Sequence, residues 1–147
     1  MDFIIESRNG LLWVTAIGQA SLNKAVVVFN SMVDAAIDRE MSLILVDCSA
    51  VRGELSVLDQ YHLGSVGAGY AQQKSKTLKV AVVGSPPVIA GFAALVASNR
   101  GITATVFRDT TDAVAWLRLF ARGASRQHDD GGEETRPGSK NRARNGA

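Results

Sequence analysis

The sequence predicts an α/β fold: a five-stranded mixed sheet with an N-terminal antiparallel hairpin and about four helices. Three observations predict it. Two apolar runs bracket an Asn-Gly pair near the start. Short continuous apolar runs then alternate with longer segments of helical spacing, as in parallel strands joined by helical crossovers. Each longer segment opens on a residue suited to cap a helix.

Taken in order, "FIIES" and "LLWVTAIG" read as a hairpin around "RNG". "SLNKAVVVFNSMVDAAID" reads as a helix capped by Ser21, with Leu22, Val26, Phe29, Val33 and Ile37 as its apolar stripe. "SLILVD" is a run rich in β-branched residues, as expected of a strand covered on both faces. It should end at Asp47 and pass through Cys48 and Ser49 into a loop. "SVLDQYHLGSVGAGYAQQK" reads as a second helix, with Ser56 and Asp59 resembling a capping box.

"LKVAVVG" is another buried strand. "SPPVIAGFAALVASNRG" places Ser85 at a cap, Pro86 at the first helical position and Gly101 past the end. "TATVF" is the last strand. "DTTDAVAWLRLF" is the last helix, capped by Asp109, with Ala113, Trp116, Leu117 and Phe120 on one face.

The 147 residues have room for one domain with a real core, and 46% hydrophobic with 20% charged residues is a globular balance. Met1 to Ala121 carries ten Lys/Arg and ten Asp/Glu, so the body is neutral. Residues 122–147 carry six against four, which accounts for the net charge of +2. A neutral body argues against a nucleic-acid-binding fold. The segment 122–147 is nearly devoid of apolar residues and is expected to be a disordered, mildly basic tail to a 1–121 domain. One cysteine and two histidines leave no disulfide and no zinc ligand set. The acidic start "MDFIIESRNG" does not read as a signal peptide, and no apolar run approaches a membrane span. A cytoplasmic protein without a cofactor is expected.

Three segments carry a family resemblance. "LILVDCSAV" looks like a central strand ending in Asp and a small turn. "KVAVVGSPP" looks like the next strand and its proline turn, and "NRGITATVFRDTTDAVAWL" like a closing signature. Together they resemble the SpoIIAA-like branch of the STAS/SEC14-type domains over most of residues 1–121. The resemblance implies a non-enzymatic regulatory or protein-interaction module. Antagonists of anti-sigma factors in that group bind a partner kinase and are switched by phosphorylation of a serine. SEC14-type relatives bind lipophilic molecules, so a small lipophilic-ligand carrier or sensor is the alternative. The switch motif, Asp-Ser-Ser/Thr-Gly, is absent; this chain has Asp47-Cys48-Ser49-Ala50. A homodimer is compatible with either reading.

In open α/β sheets ligands collect beyond the carboxyl ends of the strands. Those ends should carry Asp47 to Ser49, Gly84 to Ser85, and Arg108 to Asp109. Helix starts at Ser56, Pro86 and Thr110 would aim amides at the same edge. The binding candidates are therefore Asp47, Ser49, Ser56, Tyr61, Gly64, Gly67, Ser85 and Arg108, with no catalytic residue among them. The competing reading is that each polar residue caps a helix or closes a turn. Gly64, Gly67 and Gly69 sit inside a helical pattern, where each costs about 1 kcal/mol relative to Ala. Either close packing offsets that cost, or the small residues leave an apolar groove beside Tyr61 and Tyr70. A Ser or Cys hydrolase is the least supported class. A nucleophile needs a base within reach, and consecutive strand residues such as Asp47 and Cys48 point to opposite faces.

Overall fold

Asn9 (φ 49°) and Gly10 (φ 83°) both adopt left-handed backbone, the signature of a two-residue hairpin turn. They join β1 (Asp2–Arg8) to β2 (Leu11–Gln19) in antiparallel register, Arg8 opposite Leu11. The computed structural model describes residues 1–74, 77–86 and 92–133. After the hairpin come α1 (Leu22–Asp38), β3 (Leu43–Arg52), α2 (Val57–Gln73), β4 (Lys79–Val83), α3 (Phe92–Asn99), β5 (Thr103–Phe107) and α4 (Thr110–Glu133). The sheet order is β1-β2-β3-β4-β5, and every pair after the hairpin is parallel. This is the predicted architecture.

The chain divides into two units, Met1–Leu117 and Arg118–Ala147. The first contains the whole sheet. In the second, α4 continues as helix to Glu133, beyond the composition change at Ala121. Residues 134–147, including "SKNRARNGA", lie outside the described residues.

The sheet has a core on each face. On one, Leu12, Val14, Ile44, Val46 and Val80 meet Val28, Met32, Val33 and Ala36 of α1, Ala68 and Ala71 of α2 and Ala97 of α3. On the other, Leu11, Leu45, Ala81 and Val83 meet Ala113 and Leu117 of α4. Phe107 packs tilted against Trp116 there, ring centroids 5.5 Å apart.

The caps follow the sequence. Lys24 N–H donates to Ser21 Oγ, Asp59 N–H to Ser56 Oγ (3.0 Å), and Asp112 N–H to Asp109 Oδ1 (2.9 Å). Gly101 ends α3 at φ 103°. Ser85 and Pro86 are exposed; Pro86, expected at the first helical position, lies in a turn, and residues 87–91 lie outside the described residues.

Two expectations are corrected. Of the expected stripe on α1, Val33 is buried and Phe29 packs against the core, but Val28, Met32 and Ala36 complete the buried side and Ile37 is 39% exposed. Val26, Val27 and Val28 are consecutive, so the local pattern does not fix the phase of the helix; packing on β2 and α2 does. β3 also does not end at Asp47. It continues to Arg52, because β2 is long enough to pair with it as far as Gln19.

Candidate functional site

The continuation of β3 decides what the Asp47–Ser49 segment is. Thr15 faces Asp47, but Ile17 faces Ala50, so β3 uses one residue more than β2 across this step. That is a β-bulge, which bends a strand and shifts the phase of its side chains. Asp47 stabilises it: Oδ1 accepts from Ser49 N–H (3.0 Å) and from Ser49 Oγ–H (2.6 Å). Such local side-chain bonds supply the partners that an interrupted ladder removes. The two residues bond each other. The polar exit expected here is therefore a bulge within the strand.

Beyond the bulge, β2 and β3 run on as a two-stranded extension, closed by Ala20 N–H donating to the Arg52 carbonyl (2.8 Å). β4 stops opposite Asp47 and β5 stops level with it. Asp47, Gly84 and Arg108 thus lie along one end of the sheet, where Gly84 N–H donates to the Phe107 carbonyl (2.9 Å). Ser85 and Arg108 are exposed at this end. Ser56 is separated from it by the extension and the loop after it.

The extension shapes a cavity. Val46 and Cys48 alternate onto one face of β3, and the bulge returns Val51 to that face. A cavity of about 170 Å³ lies between this wall and α1, α2 and α3. Met1, Ala16 and Ala20 line one side, Phe29 and Met32 another, and Leu55, Leu63 and Gly64 the α2 side. Among the described residues the only polar side chains in its lining are Ser21, Cys48 and Gln60. Gln60 Nε2 is already donating to the Leu55 carbonyl (3.1 Å). Burial, with a smaller contribution from the Asp47 charge, pushes the Cys48 thiol up to about 12. That is the opposite of an activated nucleophile.

Gly64 and Gly67 pack against neighbouring helices and do not form the groove expected beside Tyr61 and Tyr70. A Cβ on Gly67 would meet the Phe29 ring at 2.9 Å, and one on Gly64 would meet the Ala93 carbonyl oxygen at 2.6 Å. These two glycines let α1 and α3 approach α2. Gly69 has nothing within 4 Å of such a Cβ. Of the three glycines only Gly64 borders the cavity. Tyr70 Oη donates to Asp34 Oδ1 (2.7 Å), which raises the tyrosine's pKa.

The start of α2 faces outward. Val57 is 66% exposed, Leu58 78% and Tyr61 47%. Spacings of three and four place them on one helical face. Arg100 Nη2 donates to Tyr61 Oη (2.9 Å) and fixes the ring. Tyr61 was a named candidate in the sequence; Val57 and Leu58 fall within the expected partner surface, Ser49 to Tyr61, but were not singled out, because apolar residues at helical spacing signal a core. His62 is exposed on the same helix. Among the described residues no three His, Cys, Asp or Glu side chains converge as a metal site requires. No helix there is long and apolar enough to cross a membrane.

No protein-family profile and no curated protein matches this chain. A solved structure does: an anti-sigma factor antagonist from Mycobacterium paratuberculosis, with TM-score 0.53 and 18% identity. The match covers 80% of this chain and 93% of the antagonist. The chain shares the antagonist's fold. That agrees with the STAS/SpoIIAA-type architecture which the sequence resemblance implies, and at this identity the likeness is one of fold alone.

Proposed function

We propose that this protein is a non-catalytic regulatory module that docks a partner protein on the first two turns of α2. The observation that carries the reading is the exposed trio Val57, Leu58 and Tyr61, held on a capped helix start. Exposed aromatic and aliphatic side chains grouped on one rigid helical face are what a partner's pocket receives. The shared fold of an anti-sigma factor antagonist makes an anti-sigma factor the first partner to test. Titration calorimetry of this chain against the anti-sigma factors of its own cell tests it. Leu58→Asp should weaken binding by about tenfold or more, whereas Val27→Asp, on exposed α1 surface, should not. Equal binding by both variants and the unaltered chain refutes the surface.

Ser49 and Ser56 are the hydroxyls that precede that surface in sequence. Ser56 is the better placed for phosphorylation, since a phosphate at a helix N-terminus is favoured by the amides there. At Ser49 a phosphate would oppose the Asp47 carboxylate, which is already bonded to the Ser49 hydroxyl at 2.6 Å.

The cavity favours a second reading, a site for a small lipophilic molecule. An apolar void of about 170 Å³ is large enough for a compact hydrocarbon. Native mass spectrometry of protein from its own cells should then show a bound mass. Ala97→Phe, which fills the cavity from α3, should abolish it. A chain that carries no added mass refutes this reading and leaves the docking surface untouched.

A further inference from the structure

β1 is the terminal strand of the sheet, and among the described residues no strand lies beyond it. The hairpin determines which of its groups point outward. Arg8 and Leu11 close a two-residue turn and so form a hydrogen-bonded pair. Alternation then turns the N–H and C=O groups of Phe3, Ile5 and Ser7 away from β2. An open row of this kind is a template for another strand. Phe3 and Ile5 have side chains against the α1 core, so Asp2, Ile4, Glu6 and Arg8 share the opposite face. On that face Ile4 is 56% exposed, and Ile17 of β2 is 48% exposed.

We propose that β1 pairs with β1 of a second copy of this chain, antiparallel about a twofold axis through Ile5. Symmetry restricts the register first. An axis normal to the sheet keeps each side chain on its own face, so even-numbered residues meet even-numbered ones. Axes at Phe3 or Ser7 leave only three residues of each β1 paired, and charge chooses among the longer registers. An axis at Ile4 sets Asp2 against Glu6. An axis at Glu6 sets that carboxylate against its own copy. An axis at Ile5 sets Asp2 against Arg8 at both ends, Phe3 against Ser7, Ile4 against Glu6, and Ile5 against itself. This register brings together only opposite charges and makes about six main-chain hydrogen bonds, two at each outward-facing pair.

Charged residues on an edge strand ordinarily ward off pairing. Here the two signs are placed so that the strand attracts its own reverse. Arg8 bonds Glu6 of its own strand at 2.9 Å, but both side chains are almost half exposed, and such a pair is weak enough to loosen.

Analytical ultracentrifugation of the full chain tests the proposal. The expected species is a dimer of the 15.6 kDa chain. Asp2→Arg alone, or Arg8→Asp alone, places like charges at both ends and should weaken association by about tenfold or more. Mixing the two variants should restore it, because every arginine then meets an aspartate. Recovery on mixing also shows that neither variant had lost its fold. An unaltered chain that stays monomeric at high micromolar concentration overturns the proposal. So do single variants that associate normally, and so does a mixture that stays monomeric.

Discussion

Replacing each glycine of α2 with alanine separates close packing from mere tolerance. Inside a helix, alanine is favoured over glycine by about 1 kcal/mol, and the surroundings decide how much of that is realised. Gly69 is exposed and a Cβ there meets nothing within 4 Å, so Gly69→Ala should stabilise the fold by about 0.5–1 kcal/mol. At Gly67 the new methyl meets the far edge of the Phe29 ring at 2.9 Å. That ring is only half-buried and can tilt, so an overpacking cost of about 1–3 kcal/mol is partly offset, leaving a loss of about 1 kcal/mol. At Gly64 the obstacle is the Ala93 carbonyl oxygen at 2.6 Å and Val96 Cβ at 2.9 Å, both fixed to the α3 backbone. Helix α3 itself must move, and the loss should be about 2 kcal/mol or more. Urea unfolding followed by circular dichroism measures all three. Thermal midpoints should shift by about 4 °C for each kcal/mol in a domain of this size. The reasoning fails if Gly64→Ala is as stable as the unaltered chain, or if Gly69→Ala destabilises it.

Cys48 should react slowly. With its pKa at about 12 against the ordinary 9.0, thiolate below pH 9 is about a thousandfold scarcer than in an unfolded chain, and Ellman's reagent at pH 8 should show it. The folded chain holds a proton that the unfolded chain releases, so stability should fall as pH rises from 9 toward 12, and Cys48→Ala should remove that part of the alkaline loss. Ser56→Ala removes the α2 cap and should cost about 1 kcal/mol in urea unfolding. Asp47→Ala leaves Ser49 N–H and Oγ without their acceptor; amide hydrogen exchange at Ser49 should quicken while that of the β4 amides does not change.

The elements of the fold were legible because their signals are local. Asn9-Gly10 names its turn through backbone sterics alone, and Ser21, Ser56 and Asp109 each bond an amide three residues on. The end of β3 was not legible. "VDCSAVR" reads as a polar exit until β2 is seen to supply a partner as far as Gln19. The inward side of α1 was legible only in part. Phe29 and Val33 were read as inward and are, but a run of valines is apolar in every direction, and only packing shows that Val28, Met32 and Ala36 share that side and Ile37 does not.

The candidate site depends still more on what surrounds each residue. Leu58 and Leu63 are the same residue type on one helix, five positions apart, and a hydropathy pattern weighs them equally. Leu63 borders the cavity, on the side of α2 that shares its lining with Val46, Cys48 and Val51. Leu58 is 78% exposed because nothing among the described residues covers that side of α2. The wall in turn depends on the bulge: Val51 is three residues on from Cys48, and in a regularly alternating strand it would fall on the opposite face. Asp47 and Ser49 were singled out in the sequence as groups a ligand could touch. In the fold they act on each other, and through the bulge they set the side chains that line the cavity.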